Sequence, residues 1–384
     1  MYKVLFLSAW YPNRNDNMFG LFVRKHAEAV GLFADVACLY VVSDKNIDKI
    51  ELTQTLIGKR MEIIVYFPAL HGHRFRSVRL IIQYILAYIE GFKALHQEWG
   101  KPDLIQVSVF TRTAFIALLY KILYKKPYFV IEHWTRYLRE DVFRNGFHKI
   151  ISRITARYAS AVMPVTYQLK KCMLDHKMYN KNYIVINNVV EDIFFKKQEQ
   201  KVSTKKKILN VTCFDDKQKN LTGLVRIIKN LKDKRDDFLF YLVGDGNDFE
   251  IIQNYAKKLG LTDAEIRFTG VLEGKELVDL YYESSFSVLF SNYENIPVVI
   301  SESLVCGRPF ISTNVGGIGE HIDDYNGILV HPENEDEMYE AITYMLDHLK
   351  NYNQQEIAKN ALHKYDYQSV GSSIMDIYKS VLKQ

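Results

Sequence analysis

The sequence has few of the residues that mark disulfide-rich or metal-binding proteins. Its 384 residues include four cysteines, Cys38, Cys172, Cys213 and Cys306, far apart and without a CxxC spacing. Isolated cysteines of this kind are typical of buried thiols in a reducing cytoplasm, and not of disulfides or zinc ligands. No clustered histidines and no DxD pair in a transferase context are present either, so we predict no metal requirement and no cofactor.

Long apolar runs are also missing. No stretch of about 18 uncharged apolar residues occurs, so we expect no membrane-spanning helix. The N-terminal "MYKVLFLSAWYPN" lacks a small-residue cleavage site, and we expect it to begin a strand and not a signal peptide. A P-loop is absent, and neither "GDGND" nor "VGGIG" satisfies a GxGxxG fingerprint. We therefore expect a cytoplasmic protein, with the inner face of the cell membrane as one possible location.

The charge is divided unequally along the chain. Residues 1–190 carry 27 Lys and Arg against 14 Asp and Glu, whereas the remaining residues carry 23 against 31. The two halves therefore differ in sign although the whole chain has a net charge of only +5. A basic half is suited to an anionic membrane surface or a phosphorylated substrate. Nucleic acid is the least favoured partner, because no recognition motif or stacking platform accompanies the charge.

Short apolar runs alternate with helical patterns in both halves. Examples are "KVLFLSA", "PYFVIEH" and "YIVINN" in the first half and "KILNVTCF", "FLFYLVGD" and "PFIST" in the second. Continuous apolar runs are typical of parallel strands that are covered on both faces. We predict an α/β protein with two Rossmann-like doubly wound domains facing a cleft, over residues 1–195 and 205–365. The lysine-rich segment 196–207 is the predicted linker, and we expect residues 366–384 to form a helix that packs back on the N-terminal domain.

The stretch "ENIPVVISESLVCGRPF" places two glutamates, Glu294 and Glu302, around an apolar segment. The spacing predicts a short helix over 298–305, with Gly307 at its C-terminal end and Pro309 preventing continuation. Glu294 would then precede a helix N-terminus, where free N–H groups suit a diphosphate, and Glu302 would lie one turn inside. Carboxylates in such positions are suited to accepting hydrogen bonds from sugar hydroxyls. The alternative is that both are solvated helix-end acids.

The same stretch resembles the Glu-x7-Glu signature of the retaining glycosyltransferases of family 4, which have the GT-B fold. "VGDGNDFEIIQNYAKKLGL", "IRFTGVLEGKELVDLYYESSFSVLFS" and "KILNVTCFDDKQKNLTGLVRII" resemble other parts of that family's donor domain, in the same order. The N-terminal "MYKVLFLSAWYPNRNDNMFGLFVRKHAEAV" is similar to its first strand, glycine loop and helix. The resemblance covers nearly the whole chain and is weakest between about 45 and 125.

The resemblance implies roles for residues of the second half. Glu302 would hold the donor ribose hydroxyls, and Glu294 with the following Asn295 and Ile296 would hold the transferred sugar. Lys219 matches the lysine that neutralises the diphosphate.

Three further positions are implied by the family. Gly20 matches the glycine of the N-terminal loop, where backbone approaches phosphate, although it could also be a simple turn glycine. His133, in "IEHW", matches a histidine that touches the donor sugar, the alternative being a structural histidine. Val271 lies where the family reads the base through backbone atoms.

The chain departs from the family at two positions. Pro297 occupies the donor turn and has no N–H to donate, so sugar preference is expected to differ. Phe214 lies near the position of an arginine, so one cation is missing. These departures are the main arguments for a non-catalytic sugar-nucleotide-binding protein.

The implied function is a retaining, metal-independent glycosyltransferase of the EC 2.4 type, making a surface polysaccharide or glycolipid. A UDP-sugar is the favoured donor, and a saccharide or lipid-diphosphate-linked molecule is the acceptor. The alternatives are a nucleotide-sugar epimerase of the same fold and the non-catalytic binding protein.

Two basic and apolar stretches, "RFRSVRLIIQYILAYIEGF" and "FHKIISRITARY", favour peripheral contact with an anionic membrane. The alternative for each is a solvated helix face. The residues expected to face the membrane are Arg74, Arg76, Arg79, Lys149, Arg153 and Arg157.

Overall fold

The chain folds into two compact units. A computed structural model describes residues 1–69, 76–110, 112–139, 142–143, 146–196 and 205–383, without the side chains of residues 76 and 77. The first unit comprises Met1–Val165, Leu169–Val189 and Tyr367–Gln384, and the second comprises Thr166–Gln168 and Val190–Asp366. The second unit begins at Val190, before the boundary predicted at residue 195. The backbone N–H of Val190 donates to Tyr365 O, and Phe194 is buried in the core of the second unit.

Each unit is built on one sheet. The first has the strand order β3-β4-β2-β1-β5-β6-β7 and the second β10-β9-β8-β11-β12-β13. The strands are β1 (Lys3–Ser8), β2 (Asp35–Asp44), β3 (Glu51–Ile57), β4 (Arg60–Pro68), β5 (Leu104–Ser108), β6 (Tyr128–Glu132), β7 (Ala161–Pro164), β8 (Lys206–Val211), β9 (Phe238–Val243), β10 (Ile266–Gly270), β11 (Phe286–Leu289), β12 (Phe310–Thr313) and β13 (Gly327–Val330).

The helices cover these sheets. They are α1 (Leu21–Gly31), α2 (Arg76–Glu98), α3 (Arg112–Tyr124), α4 (Gly146–Tyr158), α5 (Tyr167–Asp175), α6 (Asp216–Lys219), α7 (Leu221–Lys232), α8 (Phe249–Lys258), α9 (Gly274–Glu283), α10 (Val298–Val305), α11 (Glu335–His348), α12 (Gln354–Tyr365) and α13 (Tyr367–Leu382). Short 3₁₀ turns lie at Thr135–Leu138, Asp192–Phe195, Ile318–Glu320 and Leu349–Asn351.

The pairing within both sheets is parallel except for one hairpin. β3 pairs antiparallel with β4, and every other strand pair is parallel. The predicted class, with two Rossmann-like parallel α/β domains, is therefore confirmed. Parallel strands place all their carboxyl ends at one edge of a sheet, which is where ligands bind in this class.

The predicted strands agree with the structure in the second unit, and in the first unit they differ only at "YIVINN" and at the unpredicted β3. Each apolar run singled out after residue 205 forms a strand, whereas "YIVINN" makes only an isolated bridge between Val162 and Tyr183. Strand β3 was not predicted, because its residues are mostly exposed and have no apolar run to mark them.

Two boundaries also differ from the prediction. β8 begins at Lys206, so the predicted linker ends earlier, and residues 197–204 of it lie outside the described residues. The sequence also predicts that the glycine-rich loop in "VGGIGEHI" enters a helix, but the segment after it forms only the 3₁₀ turn Ile318–Glu320.

Helix α13 belongs to the first unit. It packs along α1, where a Cβ at Gly371 would approach Ala29 O to 2.2 Å. Its Tyr378 hydroxyl donates to Gln106 Oε1 over 2.6 Å, and both residues are buried. The C-terminal helix is therefore fixed by close backbone packing and by a buried polar bond.

Candidate active site

The predicted site residues of the second unit follow the carboxyl ends of its strands. Lys219 ends α6 after β8, Val271 directly follows β10, and Glu294 lies in the loop after β11. Glu302 lies in α10, which that loop enters. The parallel topology thus collects residues that are far apart in sequence at one edge of the sheet.

Helix α10 has the predicted bounds, Val298–Val305. Pro297, with an extended backbone, precedes its first turn, where an N–H would have no partner within the helix. Gly307 follows its end in the left-handed region, with φ of 72°. A Cβ there would lie 2.4 Å from Gln354 O, so glycine is required for the close approach of α12 as well as for the turn.

Both glutamates are buried. Glu294 is 6% exposed and Glu302 is 8% exposed, which excludes the alternative that they are solvated helix-end acids. A buried carboxylate is costly unless it is paired or hydrogen-bonded. Both glutamates have partners of this kind, which hold their carboxylates in position.

Glu294 is held by an ion pair and a hydroxyl. Its Oε1 contacts the ammonium of Lys219, which is also buried, and accepts a hydrogen bond from Ser291 Oγ over 3.1 Å. Neighbouring hydrogen bonds join the same two segments, since Asn292 N donates to Gln218 O over 2.8 Å. The residues expected to bind sugar and diphosphate therefore contact each other.

Glu302 is held from the neighbouring helix. Its Oε2 accepts a hydrogen bond from the hydroxyl of Tyr281 in α9 over 3.1 Å. Tyr281 is fully buried and also contacts the ring of Phe194. This contact fixes the carboxylate on the side of α10 that faces α9.

The glycine loop after β12 supports the turn that contains Glu294. Gly316 has φ of 57°, and a Cβ on it would lie 1.9 Å from Glu294 O. Gly317 N donates to Asn295 O over 2.8 Å. Asn295 is buried, and Ile296 packs against the hydrophobic core. The turn Glu294–Pro297 is thus held by backbone contacts on one side and by core packing on the other.

Phe214 provides no polar group at this edge. Its ring is 1% exposed and packs on Phe249 and Phe268 at centroid distances of 4.8 and 6.2 Å. Val271, in contrast to the buried Phe214, is 58% exposed. Asp215 and Asp216 accept hydrogen bonds from the N–H groups of Gln218 and Thr222 and shape the start of this region.

In the first unit, Gly20 and His133 lie at the carboxyl edge of the first sheet. Gly20 is the N-cap of α1 with φ of 71°, and a Cβ on it would lie 2.5 Å from Trp10 C. His133 directly follows β6, and its ring lies 4.3 Å from that of Phe22 in the first turn of α1. Burial and the nearby His26 lower the pKa of His133 well below its usual range, so the imidazole is neutral near pH 7.

A buried carboxylate that the sequence did not single out lies beside His133. Glu132, fully buried, accepts backbone N–H bonds from Phe110 over 2.7 Å, His133 over 2.8 Å and Trp134 over 2.7 Å. Burial raises its pKa to about 7, although these N–H groups act in the lowering direction. The sequence signal that could have identified Glu132 is the position of an acid in "IEHW", at the end of an apolar run. Its carboxylate joins the ends of β5 and β6.

The described residues that we expect to face a membrane lie on two helices of the first unit, α2 and α4. Arg74 lies outside the described residues, and only the backbone of Arg76 is described. Arg79, Lys149 and Arg157 are exposed, whereas Arg153 is half-buried, with Nε donating to His176 O over 3.0 Å.

No helix in the described part of the chain is long and apolar enough to cross a membrane. Within the same residues, no group of three or more His, Cys, Asp or Glu could hold a metal ion.

The comparisons with known proteins find similar sequences for the second unit and for most of the chain. Residues 191–363 match the family Glycosyl transferases group 1, a range that contains Lys219, Glu294 and Glu302. An uncharacterised glycosyltransferase of Methanocaldococcus jannaschii is 30% identical over 178 residues, covering 46% of this chain and 47% of the relative. A probable sucrose-phosphate synthase of Thermosipho melanesiensis is 22% identical over 339 residues, covering 80% of this chain and 77% of the relative. The match to the first of these spans about half the length of that relative.

Solved structures show the fold over the whole chain. Sucrose-phosphate synthase from Thermosynechococcus elongatus superposes with a TM-score of 0.73 and 16% identity, covering 100% of both chains. The Anabaena protein HepE, solved in complex with UDP-glucose, gives a TM-score of 0.73 and 15% identity, covering 99% of this chain and 100% of that one. The fold is thus GT-B, and the residues that match the family model lie in the second unit.

Proposed function

We propose that the protein is a retaining glycosyltransferase of family 4 that transfers a sugar from a nucleotide-sugar donor. The observation that carries this proposal is the buried cluster at the carboxyl edge of the second sheet. There Lys219, Glu294 and Glu302 surround the N-terminal turn of α10. A single cation, two shielded carboxylates and free helix N–H groups match the needs of a sugar diphosphate.

Each group has a distinct proposed role. Lys219 and the N–H groups at the start of α10 stabilise the charge that develops on the leaving diphosphate. Glu302 accepts hydrogen bonds from the ribose hydroxyls. Glu294, with the turn through Asn295 and Ile296, accepts hydrogen bonds from hydroxyls of the transferred sugar. When donor binds, Lys219 exchanges the carboxylate of Glu294 for phosphate oxygens, which frees Glu294 for the sugar.

The reaction needs no protein nucleophile under this proposal. The acceptor hydroxyl attacks the anomeric carbon on the face that the diphosphate leaves, and a β-phosphate oxygen takes the hydroxyl proton. The anomeric configuration is retained, and the bond to the diphosphate oxygen breaks as the new glycosidic bond forms. We propose that no metal ion takes part, so EDTA should leave turnover unchanged. Gly20 and Val271 keep the donor-binding roles that the family resemblance implies, and His133 is proposed, with Glu294, as a catalytic residue that touches the donor sugar.

UDP-sugar is the proposed donor. The support is the complex of HepE with UDP-glucose, since that protein shares the fold of the whole chain. The acceptor is proposed to be a saccharide or a lipid-diphosphate-linked molecule at an anionic membrane, because the first unit carries exposed cations beside exposed apolar residues.

A thermal-shift panel of UDP-, GDP-, ADP- and dTDP-sugars on wild type and Glu302→Ala tests the donor site. A ligand at about 100 times its dissociation constant adds about 2.7 kcal/mol of stability. We expect one nucleotide class to raise the melting temperature and the effect to be lost in Glu302→Ala. The absence of a shift with every donor would contradict the proposed donor site. A shift without transfer would favour the non-catalytic binding protein, which the burial of Phe214 in place of a cation also supports. A product formed from the donor without acceptor would instead favour the epimerase.

A further inference from the structure

Helices α2 and α3 leave a deep apolar groove between them on the surface of the first unit. The groove has a volume of about 1020 Å³, in the size range of small-molecule sites. Its walls are aliphatic and aromatic along the length of both helices, with charged or imidazole groups only at the ends.

The apolar residues here are unusually exposed for a monomer surface. Ile81, Ile85 and Ile89 on α2 are 57%, 52% and 54% exposed, and Leu119 and Leu123 on α3 are 42% and 72% exposed. Residues spaced by three or four positions share one helix face, so each helix presents a continuous apolar stripe. A contiguous apolar surface of this kind marks an interaction site.

The charges around the groove are mostly positive, although α2 also carries the exposed Glu90. α3 and α4 contain no acidic residue, and α2 has none before Glu90. Exposed cations, among them Arg79, Lys93, Arg112 and Lys149, accompany the apolar stripes. An anionic bilayer has negatively charged headgroups outside a hydrocarbon interior. Cations beside apolar stripes are therefore complementary to a bilayer in both charge and polarity. A protein partner would need to supply many acidic side chains around an aliphatic centre.

The two ends of the groove differ. Arg112 begins α3 directly after the carboxyl end of β5, at the sheet edge where ligands bind, and its guanidinium lies 5.4 Å from the ring centre of Tyr84. At the other end, His96 lies beside Tyr120, with Nε2 3.2 Å from the tyrosine hydroxyl. A headgroup at Arg112 would therefore lie at the carboxyl edge, and its chain would extend along the groove away from it.

We propose that this groove takes up a hydrocarbon chain of a phosphate-bearing lipid, with the phosphate held at Arg112. The chain site is argued from the groove alone. Its assignment to the acceptor, which makes the acceptor a lipid with at least one chain drawn out of the bilayer, rests on the proposed function.

Isothermal titration with octyl, decyl and dodecyl phosphate below their micelle concentrations tests the chain site. Each buried CH₂ should tighten binding about fourfold. We expect this dependence in wild type and in the control Leu56→Ser, whose leucine is 65% exposed on β3. In Ile85→Ser/Leu119→Ser, which replaces exposed side chains only, we expect the dependence to be lost while the melting temperature is kept.

Arg112→Gln tests the headgroup end. We expect it to weaken dodecyl phosphate about tenfold and to leave dodecyl maltoside unchanged, because only the phosphate uses a charge-assisted bond. Affinity that is independent of chain length, or an equal loss in Leu56→Ser, would overturn the proposal. Lipid-free self-association that disappears in Ile85→Ser/Leu119→Ser would assign the groove to a second copy of the chain and overturn it too.

The same variants separate this proposal from the proposed function. Donor binding is measured by thermal shift without lipid, and alkyl phosphate binding is measured without nucleotide. Chain-length dependence without any nucleotide shift would keep the groove and reject the transferase. A nucleotide shift without chain-length dependence would keep the transferase and reject the groove.

Discussion

The ammonium of Lys219 and the carboxylate of Glu294 form a buried ion pair across 75 positions of sequence. Ser291 adds a hydrogen bond to the same carboxylate oxygen. Breaking a buried pair by removing one partner is costly, because the remaining charge stays buried without compensation. The pair thus contributes to stability in the ligand-free protein and holds two proposed ligand-binding groups in position.

Lys219→Met should therefore destabilise the protein by about 3 kcal/mol. Lys219→Met/Glu294→Gln should recover part of that loss, since no buried charge remains. Lys229→Met is the matched control, because Lys229 pairs with the exposed Asp233 and such pairs contribute less than about 1 kcal/mol. Urea denaturation followed by circular dichroism measures all three. Equal losses in Lys219→Met and Lys229→Met would show that burial of the pair is energetically unimportant.

Glu294→Gln should lower the turnover number at least about 100-fold. Because it also leaves Lys219 buried without its ion-pair partner, turnover is measured below the variant's own melting temperature. The amide keeps the size of the side chain and the hydrogen bond from Ser291, but it removes the negative charge that the transferred sugar needs. Steady-state transfer with a saturating UDP-sugar measures the effect once an acceptor is known, and donor hydrolysis measures it before then. Turnover close to that of wild type would remove Glu294 from the mechanism.

Tyr281→Phe should weaken UDP binding several-fold. The hydroxyl of Tyr281 fixes the carboxylate of Glu302, and hydrogen bonds to charged groups contribute about 1.5–3 kcal/mol. The neighbouring Tyr282→Phe is the control, because its hydroxyl donates to Phe194 O over 2.8 Å and not to Glu302. Isothermal titration with UDP compares the two variants. A similar affinity loss in both would point to a general packing effect and not to Glu302.

Gly316→Ala should both destabilise the protein and reduce donor binding. The new Cβ would lie 1.9 Å from Glu294 O, so the turn that carries Glu294 must move. Gly260→Ala has a comparable φ of 73° but no neighbouring atom within 4 Å, so it measures the backbone strain alone, about 1 kcal/mol. Thermal melts with and without UDP separate strain from displacement. Identical behaviour of the two variants would show that the contact at Gly316 does not position the turn.

The pH dependence of stability should report Glu132. Its folded-state pKa of about 7 lies above the ordinary glutamate value of about 4.3, so the folded chain binds the proton more tightly. Its contribution is thus fully present below about pH 4.3 and is lost as pH rises toward 7, with a slope on the order of 1 kcal/mol per pH unit.

Glu132→Gln isolates this contribution. Burial lowers the pKa of His26 and of His133, and these groups remove stability as pH falls below about 6.5 in wild type and variant alike. The substitution by Gln also changes the unfolding free energy by an amount that does not depend on pH. The difference in unfolding free energy between the two proteins should therefore still change between pH 5 and pH 7. A constant difference across that range would place the pKa of Glu132 outside it.

The strands and α10 were largely readable from the sequence. Strands β8 to β13 are buried parallel strands, and such strands appear as continuous apolar runs. The end of helix α10 was predicted from Gly307 and Pro309, which act through their own backbone preferences. Strand β3 was missed because it is the exposed edge strand of the first sheet, and its sequence has no burial pattern to detect. The pairing of Glu294 and Glu302 as site residues came from spacing and from resemblance.

By itself, the sequence determined where apolar runs, helix ends and unbalanced charges occur, because these depend on residues that are near one another in the chain. Only the tertiary structure decided that Lys219 meets Glu294, that Tyr281 meets Glu302 and that Gly316 supports the turn between them. The physical reason is that these contacts join segments brought together at the carboxyl edge of a parallel sheet. Local sequence carries no signal for them, and their energies depend on the burial that the fold creates.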